Sequence, residues 1–189
     1  MAKNNNQVVL NSKFNPTLHE KMYKFSLFRR SSSFYVIMIF VAAIGAFLIY
    51  SSSVNESDTS GVNLGISIAV VAFTLILTPL MMVQKIKGNV KKDAQIRKDS
   101  NETITINKEK LSRKLQGAPE VAISWKKVEK VYDFDEYMLI FIQGDQSLII
   151  DKNAYTEGDS ATLVTLIDRC APKTKKGKSI YKNKIKGNK

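Results

Sequence analysis

The side chains that most often carry catalysis or hold metals are nearly missing from this sequence. It contains one cysteine, Cys170, and one histidine, His19. A structural zinc site draws about four ligands, mostly from Cys and His. A serine triad needs a histidine between its nucleophile and its acid. Neither can be assembled from so few partners. A single thiol also rules out an internal disulfide framework and fits a reducing compartment. No glycine-rich phosphate loop is present. Asp133, Asp135 and Glu136 form an acidic cluster that could take a cation. They fall on an expected hairpin turn, and the preferred reading there is a solvated turn, because a metal site needs convergent oxygens. Trp125 is the only tryptophan. It could touch a ligand or lipid, but it reads as a structural anchor, since a buried indole removes a large apolar area from water. No catalytic, cofactor-binding or metal-binding residue is expected, and the chain reads as no enzyme.

The remaining chemistry is cationic. Formal net charge is +12. Arg29 and Arg30 precede the first of two apolar runs, while Lys85, Lys87, Lys91, Lys92, Arg97 and Lys98 follow the second. Such residues beside a bilayer gain about 1 kcal/mol each from anionic lipid, and they also act as topology signals. Eight of the last 18 residues are lysines, with no acid among them. Lysine tails can bind nucleic acid by counterion release. This one has only Tyr181 as an aromatic, so it lacks the interleaved stacking residues of a single-strand binder. Lipid is the favoured contact, and nucleic acid is disfavoured.

The elements that position these charges come next. Phe34 to Tyr50 runs 17 residues without a charge, and Leu64 to Val83 runs 20. About 20 helical residues cross a hydrocarbon core. The two runs are therefore expected to be transmembrane helices, 34–50 and 64–83, paired as an antiparallel hairpin around the external loop 51–63. The leading segment and Glu20 argue against a cleaved signal. Residues 1–33 carry six Lys/Arg against one acid, and 84–98 carry six against Asp93. The loop carries no cation but has Glu56 and Asp58. The positive-inside rule then places both termini in the cytoplasm of a multi-pass cell-membrane protein. Small residues four apart, Ala42/Ala46 and Gly65/Ala69, are candidates for the helix contact. Pro79 is a candidate kink. Neither run holds an ionisable residue, which argues against transport.

Residues 1–33 read as a strand, Gln7 to Phe14, followed by an amphipathic helix with Leu18, Met22 and Phe25 on one face. Thr17 and Glu20 fit a capping box after Pro16. Residues 84–98 form a basic juxtamembrane segment. Residues 99–171 change to strand patterning: 103–106, 111–115, 121–125, 128–134, 137–142 and 147–150, with turn residues between them. A helix through Cys170 follows, with Leu163, Leu166 and Ile167 on one face. Residues 172–189 read as a disordered tail. The folded body has 9 cations against 13 acids, so it is mildly acidic at −4. The fold class expected is an α+β membrane protein. Its parts are a two-helix transmembrane hairpin and a small antiparallel sheet or partial barrel capped by a C-terminal helix.

Several stretches carry a family likeness. They are Thr103-Ile104-Thr105-Ile106 with Leu111, the Trp-centred Ile123 to Val131, Tyr137 to Ile142, and Ser147 to Tyr155. In these the chain resembles the YcxB-like proteins of bacteria, except that Asp151 stands where a proline is usual. The resemblance implies a cytosolic domain at 99–171, similar to pleckstrin-homology and GRAM-like domains. It implies no catalytic residues.

The functional expectation is a membrane-anchored interaction module. It would hold a pleckstrin-like domain at the inner membrane face for a protein or lipid partner, with self-association left open. A self-protection protein against a membrane-active bacteriocin is the alternative, by fold-level analogy. A membrane enzyme ranks last, since no nucleophile, base or metal constellation is visible.

Overall fold

The computed structural model describes residues 7–54, 60–97, 100–144, 146–174 and 176–184. The chain divides into two compact units. One is residues 20–92, and the other joins residues 1–19 to 93–189.

The first unit is helical. Helix α1, Pro16–Phe25, spans the division between the units. Its cap is Asn15, whose Oδ1 accepts from the Thr17 and Leu18 amides at 3.1 and 3.3 Å. The expected capping box at Thr17 and Glu20 is thus corrected. Asparagine is a strong N-cap, and Pro16 suits the first helical position because its missing N–H costs nothing there. Glu20 pairs instead with Lys24 at 2.6 Å, four residues along. A π-helical turn, Ser26–Arg30, closes on Ser31 in an extended conformation. Helix α2, Ser32–Val54, and helix α3, Ser60–Ile96, follow.

Both helices are long and apolar enough to span a membrane. Only 11% of the window Phe34–Ser51 is buried, and none of the corresponding window in α3. A core helix of a soluble protein would be mostly covered. Here Val36, Ile39, Phe40, Phe47, Phe73 and Ile76 are all more than half exposed. Between Phe34 and Tyr50 the covered positions of α2 are Phe34, Met38, Val41, Gly45 and Ile49, a single face at three- and four-residue spacing. Gly45 lies at the contact with α3, where an added Cβ would come 2.6 Å from Val71 Cγ2. Ala42, Ala46, Gly65 and Ala69 are exposed, so the small-residue pairs expected to meet do not. The close approach uses one glycine against one branched side chain. Helix α3 continues unbroken through Pro79 and through the basic stretch to Ile96. Residues 51–54 and 60–63 of the expected loop are helical, and 55–59 lie outside the described residues.

The second unit holds two sheets. The first has the order β4-β3-β2-β1-β8. Its strands are β1 Gln7–Lys13, β2 Asn101–Asn107, β3 Lys110–Leu115, β4 Val121–Ser124 and β8 Tyr155–Glu157. The second sheet has the order β7-β6-β5-β9. It contains β5 Val128–Asp133, β6 Tyr137–Ile142, β7 Gln146–Asp151 and β9 Tyr181–Asn183. Helix α4, Ser160–Cys170, is capped by Asp159, whose carboxylate accepts from the Thr162 amide at 2.8 Å. Period-two alternation sends Val8, Leu10, Ile104 and Ile106 inward. They meet Met138, Ile140 and Ile142 of β6 and Leu163, Leu166 and Ile167 of α4 in one core.

Two boundaries move. The expected domain begins at residue 99, but β1 lies inside its sheet, paired antiparallel with β2 over seven residues from Gln7↔Asn107 to Lys13↔Asn101. Val8 and Leu10 are 0% and 1% exposed, so the leading strand is a central part of the domain. The expected disordered tail is corrected over part of its length. Ile180 is 5% exposed within the core, and β9 pairs parallel with β5. One aliphatic residue and one tyrosine amid the lysines give that segment something to bury, which composition averaged away.

Candidate functional site

Three groups of polar side chains stand out from this framework. The first is buried. Asp133 ends β5 on the same inward phase as Val131 and is 3% exposed. Lys152, in the turn after β7, reaches it at 2.6 Å and also donates to the Phe134 carbonyl at 2.5 Å. The Tyr181 hydroxyl donates to the other carboxylate oxygen. Burial, reinforced by the Asp133 carboxylate, holds the Tyr181 phenol protonated far above its ordinary range. Tyr155 borders the same group. Burial pushes its phenol up to about 12. A carboxylate this deep is tolerated only when paired and hydrogen-bonded. The cluster ties β5, the β7–β8 turn and β9 together. The acidic group thus comes apart: Asp135 and Glu136 stay exposed on their turn, and Asp133 is taken into the interior. Sequence reading missed this cluster. The one available signal was phase, because an acid two residues beyond Val131 on a strand must face the core.

The second group gathers around the β2–β3 ladder of the first sheet. Arg113 grips Glu102 with two donors, Nε to Oε1 and Nη2 to Oε2, the latter at 3.2 Å. This bidentate geometry is the strong form of the pair. Nearby, the His19 ring packs against Phe14 at a tilt of 35° with centroids 4.2 Å apart, and Arg97 lies 5.6 Å from the centre of the Phe14 ring. His19 Nδ1 is 3.0 Å from the Asn15 carbonyl oxygen. Burial lowers the His19 pKa, with Arg97 and Arg113 adding to the effect. The histidine is therefore half-buried packing.

The third group is the set of cations expected to meet lipid. Arg29, Lys85, Lys87, Lys91 and Lys92 are exposed, and Arg97 is half-buried. The Arg30 side chain and Lys98 lie outside the described residues. Lys85 and Lys92 are seven apart on α3 and share one face, while Lys87 and Lys91 are four apart and share another. The lysines thus form a collar around the helix below its apolar stretch. A collar offers charge to a surface and has no concavity to select a small ligand. Trp125 is 4% exposed, and its indole N–H donates to the Asn107 carbonyl at 2.9 Å. Among the described residues no three His, Cys, Asp or Glu side chains converge as metal ligands.

Residues 116–167 match the family model of the YcxB-like protein. That stretch runs from the β3–β4 turn into α4. It contains three of the four segments that carry the resemblance, and it leaves out β1, β2 and both long helices. No curated protein and no solved structure matches the chain.

Proposed function

We propose that this chain is a non-enzymatic, membrane-anchored interaction module. In this reading α2 and α3 span the cell membrane as a hairpin, with both termini in the cytoplasm. The sheet domain serves as a pleckstrin-like platform at the inner face, and its partner is a protein or an anionic lipid surface. The observation that carries the reading is the apolar outer surface of the two long helices. Residues such as Phe40, Phe47 and Phe73, two thirds exposed, would cost heavily in water and nothing in hydrocarbon. The exposed lysine collar, beginning at Lys85 just past the apolar run, supports the orientation by the positive-inside rule. Two sheets with a C-terminal helix packed into their shared core support the pleckstrin-like comparison.

The test has two parts. Single cysteines at Ser53, Lys92 and Lys182, in a Cys170→Ser chain, are labelled with a membrane-impermeant maleimide on intact cells. Only Ser53→Cys should react from outside, and labelling of Lys92→Cys or Lys182→Cys would overturn the topology. Crosslinking in membranes and liposome flotation then address the platform. A chain that captures no protein partner, and whose association with vesicles ignores anionic lipid, would refute the module reading.

A further inference from the structure

The edge of β5 is occupied by the chain's own tail, and the manner of that occupancy has a functional consequence. β9 pairs with β5 over three residues, Val131↔Tyr181, Tyr132↔Lys182 and Asp133↔Asn183. Two further bonds flank the ladder, Val131 N–H to the Ile180 carbonyl at 3.1 Å and Lys184 N–H to the Asp133 carbonyl at 2.7 Å. Side chains supply the specificity. Ile180 drops into the core beside α4, and the Tyr181 hydroxyl completes the Asp133–Lys152 pair. The grip is local and sequence-specific, yet small.

The connection back to the domain closes a turn on itself, with the Thr174 amide donating to the Lys178 carbonyl at 2.9 Å, and the Ser179 hydroxyl ties it to α4 by donating to Asp168 at 3.3 Å. From Lys173 to Ser179 the described residues are exposed. They turn through Thr174 and Gly177, the latter at a φ of 71°. Where the connection passes the end of α4, a cleft of about 300 Å³ remains between Ile167, Pro172 and Ile180. The nine residues between Cys170 and Ile180 could reach roughly 30 Å if extended. Each copy therefore carries one edge that takes a strand and one strand that fits it, joined by a connection whose described residues from Lys173 to Ser179 are exposed.

We propose that β9 exchanges between copies of this chain, so that the partner's Tyr181 completes the Asp133–Lys152 pair of its neighbour. Exchange of an identical element keeps every native contact and costs only the opening of the tether. The β5 edge is then the protein's self-association site, and the tail in its own groove is the closed, monomeric state. This assignment goes beyond the module reading and does not depend on where the chain resides.

Proximity crosslinking separates the two arrangements. In a full-length Cys170→Ser background, Tyr132→Cys and Lys182→Cys face each other across the β5–β9 ladder. A short bismaleimide should close within one chain carrying both. When two chains carrying one cysteine each are co-expressed in the same cells, exchange predicts a covalent heterodimer. Ile180→Asp in the tail-donating chain should reduce it at least about tenfold, the factor that 1.4 kcal/mol sets. A second arm leaves β5 untouched. A photo-crosslinking residue at position 182 should form adducts with β5 of a differently tagged copy. Closure only within the doubly substituted chain, with co-expressed single variants and the photo-adduct remaining monomeric, overturns the proposal. So does the absence of any crosslink.

Discussion

A fragment spanning residues 99–189, the domain as its strand pattern delimits it, should not fold. The structure places β1 between β2 and β8, at an interior position of a five-stranded sheet. Removing it uncovers Ile104 and Ile106, which are 1% and 0% exposed in the whole chain. It also deletes Val8 and Leu10 from the core. Fully burying an aliphatic side chain is worth about 1.5–3 kcal/mol, so those two alone supply about 3–6 kcal/mol. The seven-residue ladder to β2 adds hydrogen bonds worth about 1 kcal/mol each in net terms. The loss is comparable to the whole stability of a domain this size, about 5–15 kcal/mol. Urea unfolding followed by Trp125 emission provides the assay. Residues 7–15 joined by a flexible linker to 100–189 should unfold cooperatively, whereas 99–189 should show no transition. Within the joined form, Leu10→Ala should lower stability by about 2–5 kcal/mol. A cooperative transition in 99–189 with the midpoint of the joined form would refute the claim that β1 is integral.

Four other perturbations test separate parts of the structure. Gly158 has a φ of +75°, and a Cβ there would lie 3.0 Å from both the Gln7 carbonyl oxygen and Val8 Cγ2. Gly158→Ala should therefore cost about 1–3 kcal/mol in the same urea assay. Tyr155 is held neutral by burial, with its pKa raised from 10.0 to about 12. Its share of stability is present below pH 10 and lost as pH rises toward 12, and Tyr155→Phe should flatten that limb of the profile. His19 has its pKa lowered below 6.5, so the unfolded chain takes the proton first and stability declines as pH falls below that value. The single imidazole resonance should titrate below 6.5, and His19→Gln should remove that dependence. Gly45→Leu should force α2 away from Val71, and a loss of thermal stability in detergent would show it.

The presence and apolarity of α2 and α3 follow from sequence alone, while both run past the uncharged stretches that announce them, to Ser32–Val54 and Ser60–Ile96. An uncharged run of 17 or 20 residues leaves the backbone little choice but a helix, and the structure leaves those helices uncovered. The strands from 101 to 151 were legible for a similar reason, since alternation is a local property and the turn residues between them act locally, whereas the three-residue β8, Tyr155–Glu157, was too short to show one. The site was less legible. The cap at Asn15 competed with a plausible capping box two residues on, and only the built turn shows which side chain reaches the amides. Asp133 reads as part of an acidic turn with Asp135 and Glu136 until Lys152 and Tyr181 arrive from 19 and 48 residues away.

Sequence by itself determined the membrane-length helices, the placement of charge beside them, the α+β class and the succession of strands from β2 to β7. Tertiary structure alone decided which of those strands belong together. It put β1 and β9, separated from the domain by two long helices at one end and by a lysine-rich connection at the other, into its two sheets. Strand pairing is non-local, and a short strand has too few residues to announce its partner. Val8, Leu10, Ile180 and Tyr181 gain their meaning only from the core and the buried carboxylate that receive them.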